Sequence, residues 1–299
     1  MPYNLIVFLG PTASGKTAIA VSFASRWRGE ILSADSRQVY RGLDIGSGKD
    51  LHLYGDIPYH LIDIASLQEE FSVYHYTRAF ERAYGQVVSN GNIPVVCGGS
   101  GMYLSAIIQN YQFAEARTTP ERIAALQAMD DTTLRNLLGQ YQPNLHNTTD
   151  LNDRNRLIRA LIIAESPPPQ EPERTWNALV LGIFPPRDQV KENIARRLKE
   201  RLNNGLIEEV ESLLDEGVSY ERLSLLGLEY HYVASYLTGK LNYNDMHQQL
   251  RSAIIQFAKR QMTWYRKMEK EGVTIHHIQS ANDPLLEELM LQKEQFHFA

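Results

Sequence analysis

Eight residues near the start of the chain have the types and spacing of a phosphate-binding loop. Residues 10–17 read Gly-Pro-Thr-Ala-Ser-Gly-Lys-Thr and match the pattern G-x-x-x-x-G-K-[ST]. They follow an apolar run and precede a helical pattern, so the loop amides and the positive end of the helix would converge on one anion. The predicted diphosphate-binding residues are Gly10, Thr12, Ala13, Ser14, Gly15, Lys16 and Thr17.

Within this loop, two side chains have separate tasks. The Lys16 ammonium would neutralise the outer phosphate, and the Thr17 hydroxyl would help to ligate a magnesium ion that bridges phosphate oxygens. ATP is the commonest occupant of such a loop, but nothing in the loop recognises adenine or a nucleotide. The loop therefore predicts a diphosphate and leaves the rest of the ligand open.

Asp35 is the second candidate for chemistry, because it stands where the predicted strand Glu30–Ser33 ends. In a doubly wound sheet the carboxyl ends of adjacent strands share one crevice, which would place Asp35 beside the phosphate loop. Its carboxylate could be a general base, an outer-sphere magnesium ligand or the N-cap of the next turn. Beside a phosphate loop we favour a catalytic or metal-binding role.

The elements that must position these residues alternate between strand and helix. Helical patterns separate the short aliphatic runs, and two long helices are predicted from Asp188 to about Asn203 and around Gln248 to Glu271. This alternation predicts an α/β fold, a parallel sheet of the P-loop NTPase-like kind with helices on both faces. The predicted strands are Leu5–Leu9, Glu30–Ser33, Leu61–Ile64, Ile93–Cys97, Leu179–Phe184 and an edge strand at Val273–Ile278.

The pattern changes between about Gln112 and Thr175, where polar helical stretches occur without strand signals. This segment ends in a proline-rich run, residues 166–172, which is typical of a stiff extended connector. We therefore predict a helical insertion at 112–175 within a core formed by 1–111 and 176–280, followed by a tail at 281–299.

Composition and charge limit the class of protein. The 299 residues are 43% hydrophobic and 22% charged, which is typical of a folded chain. The lone Cys97 cannot form an internal disulfide, and we expect a cytoplasmic monomer without a membrane partner. The net charge of −5 argues against a uniformly basic nucleic-acid binder. Residues 191–205 and 251–270 nevertheless carry local charges of +3 and +5, so a basic stripe remains possible.

Six segments together resemble one enzyme family. Their order and spacing are similar to those of the tRNA dimethylallyltransferases in their bacterial form, over most of the chain from Leu5 to about Arg266. The segments are Gly10–Thr17, Asp35–Gly46, His60–Ile64, Gly98–Leu104, Asn152–Leu161 and Phe257–Arg266.

The resemblance implies a specific reaction. These enzymes transfer a dimethylallyl group from its diphosphate to the exocyclic N6 amine of the adenine immediately 3′ of the anticodon in tRNA, with Mg²⁺ and with release of diphosphate. Asp35 would then be the base that takes the amine proton. Ser100, which stands where the family usually has Thr, would hydrogen-bond the leaving oxygen. The resemblance also implies that an arginine binds the diphosphate, and for this role we prefer Arg201 to Arg197.

The resemblance further implies contacts to the anticodon stem-loop of tRNA. One group follows the second strand and would hold the flipped adenine, and the other lies in the insertion. The predicted residues are Asp35, Ser36, Arg37, Gln38, Arg122, Asn155, Arg156, Leu157, Ile158 and Arg159.

Departures from the family pattern affect details of substrate packing and not the reaction, while three alternative functions remain open. Tyr59 replaces the first of two usual histidines, and Gly227–Tyr230 replaces a Gly-Tyr-containing motif. One alternative is a P-loop kinase for a small molecule or nucleoside, in which Asp35 would activate a hydroxyl. Others are an enzyme that prenylates free adenine nucleotides and an RNA-binding module with a vestigial nucleotide site. The resemblance at Gln38 and the Arg-rich later segments favour tRNA over free adenine nucleotides as the acceptor.

Overall fold

A computed structural model describes residues 2–113, 117–141, 153–167, 175–292 and 296–298. These residues divide into two compact units. The larger consists of Met1–Asn110 and Trp176–Ala299, and the smaller of Tyr111–Thr175. Residues 168–172 of the predicted proline-rich connector lie outside the described residues.

The larger unit is built on a six-stranded sheet in which every pairing is parallel. The strands of the sheet lie in the order β3-β2-β4-β1-β5-β6. All residues of β1 and β2 are buried, as expected for strands covered on both faces. The strands are β1 (Leu5–Leu9), β2 (Gly29–Ala34), β3 (Tyr59–His60), β4 (Ile93–Gly98), β5 (Ala178–Gly182) and β6 (Ile275–His277).

Helices cover both faces of this sheet, as the side chains of β1 show. Leu5, Val7 and Leu9 belong to one buried cluster, whereas Ile6 and Phe8 belong to a second cluster on the opposite face. The helices of the larger unit are α1 (Lys16–Trp27), α2 (Val73–Ser89), α3 (Gly101–Ile108), α7 (Arg187–Asn203), α8 (Leu206–Asp215), α9 (Tyr220–Leu226), α10 (Leu228–Leu237), α11 (Tyr243–Lys270) and α12 (Pro284–Leu291).

Two segments differ from the sequence-based expectation. The strand predicted at Leu61–Ile64 is wrong, because pairing with β2 ends at His60 and the chain then turns, with φ of 68° at Leu61 and 57° at Asp63. The apolar run there reflects burial of Leu61 and Ile62, which periodicity alone cannot distinguish from a strand. The residues assigned to a tail contain α12, which packs against the cluster around Ile6 and Phe8.

The smaller unit has a core of its own. Its described residues form the helices α4 (Pro120–Ala128), α5 (Asp131–Tyr141) and α6 (Arg154–Glu165). Six buried side chains fill the space between them, among them Leu126, Leu134 and Leu161. In the part of the chain that the structure describes, no helix is long and apolar enough to cross a membrane.

Candidate functional site

The carboxyl ends of three neighbouring strands meet at one edge of the sheet. In the ladder, Gly98 of β4 pairs with Leu9 of β1 on one side and with Ala34 of β2 on the other. A Cβ on Gly98 would lie 2.2 Å from the carbonyl oxygen of Ala34, so only glycine permits this approach. The segments that follow the three strands therefore emerge side by side, as the sequence predicts for Asp35 and the phosphate loop.

Ser100 directly contacts the segment that follows β2. The backbone N–H of Ser36 donates to Ser100 Oγ over 2.8 Å, and the Ser100 hydroxyl donates to Ser36 Oγ over 3.2 Å. Asp35 Oδ1 accepts the N–H of Arg37 at 2.8 Å and that of Gln38 at 3.4 Å. Asp35 Oδ1 thus caps the turn that follows β2, as an Asp with no catalytic role would do. This contact also fixes the orientation of the whole carboxyl group.

Gln38 is held at both ends of its side-chain amide. The Ser33 hydroxyl donates to Gln38 Oε1 over 2.8 Å, and Gln38 Nε2 donates to the carbonyl of Gly48 over 2.9 Å. The first contact joins Gln38 to the end of β2, and the second joins it to the loop that follows. Gln38 is therefore an ordered residue of the crevice, beside Asp35.

The phosphate loop precedes α1 in the predicted manner. Gly15 takes a positive φ of 83°, and α1 begins at Lys16. Burial lowers the pKa of the Lys16 ammonium below its usual value, and the nearby Arg197 cation lowers it further. Among the residues described, the buried Ser14 hydroxyl has no hydrogen-bond partner. A bound anion would satisfy both groups, since it accepts hydrogen bonds and favours charged Lys16.

Arg197 and Arg201 of α7 face this loop across a cleft of about 760 Å³ that Lys16 also lines. Arg197 Nη1 lies 3.5 Å from Thr12 Oγ1. Burial and the adjacent Arg201 lower the pKa of Arg197 to about 10. Arg201 Nη1 donates to the carbonyl of Gly46 and to Glu229 Oε1, both over 3.1 Å.

Both guanidinium groups retain buried donors that are unused. Within the described ranges, Nε of Arg197 and both Nε and Nη2 of Arg201 have no hydrogen-bond partner. Buried donors without acceptors are unfavourable, and their convergence with Lys16 marks a site for an anion. The structure thus brings together the phosphate loop, Asp35, Ser100 and both candidate arginines of α7.

Comparison with known proteins assigns the chain to a family. A family model described as IPP transferase matches residues 38–268, more than half of the chain. The chain belongs to the IPP transferase family. A second model, described as Isopentenyl transferase, matches residues 3–57.

Curated relatives of this IPP transferase match it over nearly its full length. A protein of Geotalea uraniireducens named tRNA dimethylallyltransferase 1 is 50% identical over 289 residues, which cover 96% of each chain. A protein of Hahella chejuensis with the same name is 47% identical over 286 residues, which cover 94% of this chain and 93% of the relative.

Solved structures share the fold of this IPP transferase. The full-length tRNA isopentenylpyrophosphate transferase of Bacillus halodurans has a TM-score of 0.69 at 28% identity, covering 97% of this chain and 95% of that chain. A eukaryotic dimethylallyltransferase acting on tRNA has a TM-score of 0.79, covering 98% of this chain and 79% of that chain. Because its identity is 20%, this second likeness shows the fold alone. The predicted α/β fold with a parallel sheet is confirmed.

Sequence reasoning gave no role to two residues of α11 that support the site of this IPP transferase. Gln261 Oε1 accepts the N–H of Thr12, and Gln261 Nε2 donates to the carbonyl of Gly99, both over 2.8 Å. The Tyr265 hydroxyl donates to the carbonyl of Gly10 over 3.0 Å. The only signal in the sequence was that both residues lie in the segment Phe257–Arg266, which resembles the family.

The tRNA-contacting residues predicted in the insertion fall into two groups. Asn155, Arg156 and Arg159 lie exposed on α6 of the smaller unit. Leu157 and Ile158 instead belong to the core of that unit, because apolar positions at this spacing face α4 and α5. The prediction that Leu157 and Ile158 contact tRNA is therefore corrected, since buried side chains are not available to RNA.

Arg122, the remaining predicted residue of the insertion, forms an ion pair within its own unit. Its Nε donates to Glu165 Oε2 over 3.0 Å, and its Nη2 contacts the other carboxylate oxygen. This bidentate pair uses the geometry that guanidinium and carboxylate groups favour. Binding of a tRNA phosphate by Arg122 would have to compete with Glu165.

The chemistry of the oxygen ligands in this IPP transferase fits a magnesium ion that arrives with phosphate. In the part of the chain that the structure describes, no group of three or more His, Cys, Asp or Glu side chains could hold a metal. Magnesium is normally bound by one or two protein oxygens together with substrate phosphates and water. The Thr17 hydroxyl, in the first turn of α1 beside Lys16, could supply an oxygen ligand of that kind.

Proposed function

We propose that this protein transfers a dimethylallyl group from dimethylallyl diphosphate to the N6 amine of the adenine immediately 3′ of the anticodon in tRNA. The observation that carries the proposal is the meeting of an anion site, Asp35 and Ser100 at one sheet edge. The family to which the chain belongs includes curated relatives that are named tRNA dimethylallyltransferases. The N6–carbon bond forms while the carbon–oxygen bond to diphosphate breaks, and the electron pair of that bond leaves with the oxygen.

The donor diphosphate binds to the loop amides, Lys16, Arg197 and Arg201. The structure supports this assignment because these side chains line one cleft and the arginines retain unused buried donors. Arg197 is included with Arg201 because it is the one that lies against Thr12. As negative charge develops on the departing diphosphate, these preorganised cations stabilise it more than they stabilise the bound donor.

Asp35 accepts the proton that N6 loses. The lone pair of an exocyclic adenine amine is delocalised into the ring, so attack on carbon requires the proton to be removed as the bond forms. The contacts of Oδ1 with the backbone of Arg37 and Gln38 hold the carboxylate in place for this step. Ser36, Arg37 and Gln38 hold the flipped base, and the Ser100 hydroxyl hydrogen-bonds the leaving oxygen.

Magnesium is the cofactor that this assignment implies, with Thr17 as its protein ligand. When bound, the ion supplies positive charge that neutralises the diphosphate oxygens. The protein side chains that share this task are Lys16 and the arginines of α7.

The partner macromolecule is the anticodon stem-loop of a tRNA. Extruding the adenine from its stack costs a few kcal/mol, which contacts to the surrounding RNA must offset. The exposed Asn155, Arg156 and Arg159 of α6, with Arg122, are the residues of the smaller unit that we assign to tRNA. The basic segments 191–205 and 251–270 are the candidates in the larger unit. We propose that the enzyme acts as a monomer in the cytoplasm.

The test uses purified protein, magnesium, radiolabelled dimethylallyl diphosphate and an unmodified tRNA transcript. Label should enter the tRNA and should be absent from a matched transcript in which guanine replaces the target adenine. Adenosine monophosphate as acceptor separates tRNA from free-nucleotide prenylation, and ATP with phosphate release tests for a kinase. ATP turnover without labelled tRNA would favour the kinase alternative and contradict the proposal.

A further inference from the structure

We propose that Glu209 of α8 is a positioning residue for both halves of the active site, through the Asp44–Gly48 loop. This loop follows β2 and Gln38 and precedes β3. The inference rests on the proposed function for the roles of Arg201 and Gln38. Glu209 itself contacts neither substrate site, and its effect passes through backbone groups of the loop.

The Glu209 carboxylate accepts hydrogen bonds from three consecutive backbone amides. Its Oε2 accepts the N–H groups of Asp44 at 3.1 Å and Ile45 at 2.6 Å, and its Oε1 accepts that of Gly46 at 3.0 Å. The Tyr230 hydroxyl donates to the same Oε1 over 2.8 Å. Three convergent amides form an anion-binding concavity, and an internal carboxylate occupies it here. Hydrogen bonds to an ionised acceptor are roughly twice as strong as neutral ones.

The same loop carries the two carbonyl groups that orient the side chains of the site. Gly46 accepts from Arg201, and Gly48 accepts from Gln38. Tyr230 extends the clamp because its hydroxyl oxygen also accepts the N–H of Ser47 at 3.0 Å. The carbonyl that holds Arg201 therefore belongs to a residue whose amide Glu209 fixes. The carbonyl that holds Gln38 lies two residues further along the chain.

Charge complementarity explains why an acid is needed at this position. Backbone amides of the loop point toward Glu209, and in a trans peptide the carbonyl of one residue lies opposite the N–H of the next. The carbonyl of Gly46 therefore lies opposite the N–H of Ser47, which the Tyr230 hydroxyl accepts while it donates to Glu209. This arrangement directs the Gly46 carbonyl toward Arg201. Lys49 anchors the loop through the Tyr40 carbonyl and the carboxylates of Asp44 and Asp63, but its ammonium does not bind the backbone N–H groups that Glu209 holds.

The experiment compares Glu209→Gln with Glu211→Gln, a matched change at an exposed position of the same helix. Glutamine keeps the size of the side chain but loses its charge, and its NH₂ group cannot accept from amides. We expect the KM for both dimethylallyl diphosphate and tRNA to rise about tenfold in Glu209→Gln. The Kd for inorganic pyrophosphate should rise by a similar factor, and Glu211→Gln should leave all three constants unchanged.

A purely structural role for Glu209 would have a different signature. It would lower Tm but leave KM and the pyrophosphate Kd unchanged at temperatures where the variant is folded, and that result would overturn the proposal. If Glu209→Gln does not fold, Tyr230→Phe removes the hydroxyl that joins Glu209 to Ser47, and a smaller rise in the same constants is expected. Pyrophosphate binding needs no tRNA chemistry, so it tests Glu209 even if the wild-type protein fails to prenylate tRNA.

Discussion

Arg201, which lines the cleft, forms an ion pair with Glu229, with 3.1 Å between Arg201 Nη1 and Glu229 Oε1. Only 10% and 17% of the two side chains are exposed. Glu229 lies in Gly227–Tyr230, where the sequence departs from the Gly-Tyr-containing motif that it resembles. The departure thus places a carboxylate against one of the arginines proposed to bind diphosphate, where it competes with the anion for that charge.

Replacing Glu229 with Gln should strengthen pyrophosphate binding and weaken the ligand-free fold. Loss of a nearby negative charge favours the anion, by roughly tenfold in Kd. Loss of the buried partner of Arg201 should lower the free energy of unfolding by about 1–3 kcal/mol. Titration calorimetry gives the Kd, and thermal unfolding with and without pyrophosphate gives the stabilities. Glu221→Gln, an exposed position of α9, is the control, and weaker binding in Glu229→Gln would show that Arg201 needs the carboxylate for its placement.

Replacing Asp35 with Asn should slow transfer by orders of magnitude while sparing tRNA binding. The Asn side-chain oxygen can still accept from the backbone of Arg37, so the turn survives, but an amide cannot take the proton from N6. A positioned general base contributes typically 10²–10⁴-fold, so kcat should fall by about that factor. Single-turnover transfer of label measures the chemical step, and filter binding measures the Kd for tRNA. Asp56→Asn, at an exposed position, is the matched control, and transfer at the wild-type rate by Asp35→Asn would exclude Asp35 as the base.

As pH rises, the affinity for pyrophosphate should begin to fall at a lower pH than it would if Lys16 had the pKa of an ordinary lysine. Burial lowers the pKa of Lys16, so its charge is lost below the usual pH, and Arg197 has a pKa of about 10. Both groups are cations whose pKa values are lower in the ligand-free folded state than in the unfolded state, so the folded state binds fewer protons. As pH rises through their lowered pKa values, ligand-free stability should therefore increase while affinity for the anion decreases.

The measurement for this prediction is the pyrophosphate Kd between about pH 7 and pH 10 for wild type and Lys16→Arg. An arginine at position 16 starts from a higher intrinsic pKa than lysine and therefore keeps its charge to higher pH. Changes in the charge of pyrophosphate and of Arg197 are common to both proteins. The wild-type Kd should rise more steeply with pH than that of Lys16→Arg. Parallel curves would contradict a role for Lys16 deprotonation.

The sequence predicted the parts of this site that follow from local pattern and from the rules of parallel sheets. The phosphate loop is contiguous, and Asp35 could be placed beside it because neighbouring strands end at a common edge. Gln261 could not be predicted in the same way, since its partner Thr12 lies 249 residues away along the chain. Only the packing of α11 brings the two together.

The error at Leu61–Ile64 has a related cause. Burial of Leu61 and Ile62 produced an apolar run, but the backbone there turns instead of extending the sheet. Asp63, which takes a positive φ in this turn, pairs with the buried Lys49. No sequence pattern relates Lys49 to Asp63, so that contact becomes visible only in three dimensions.

Replacing Gly48 with alanine should disturb the site because the added Cβ would collide with side chains of the site. Replacing Gly55 with alanine is the matched control. A Cβ at Gly48 would lie 1.6 Å from Arg201 Nη2 and 2.3 Å from Arg197 Nη2, so both guanidinium groups would have to move. The φ of Gly48 is +66°, which by itself costs an L-residue about 1–2 kcal/mol. Gly55 has a φ of +53° with nothing within 4 Å of its Cβ position, so Gly55→Ala carries a similar backbone cost without the collision.

The two variants should therefore lose similar stability from the backbone but differ in the donor site. We expect Gly48→Ala to weaken pyrophosphate binding and to raise the KM for dimethylallyl diphosphate by tenfold or more, whereas Gly55→Ala should leave both near wild type. Thermal unfolding of both variants separates the backbone effect from the displacement of the arginines. Equal pyrophosphate affinities in the two variants would mean that neither Arg197 nor Arg201 has to occupy its observed position to bind the anion.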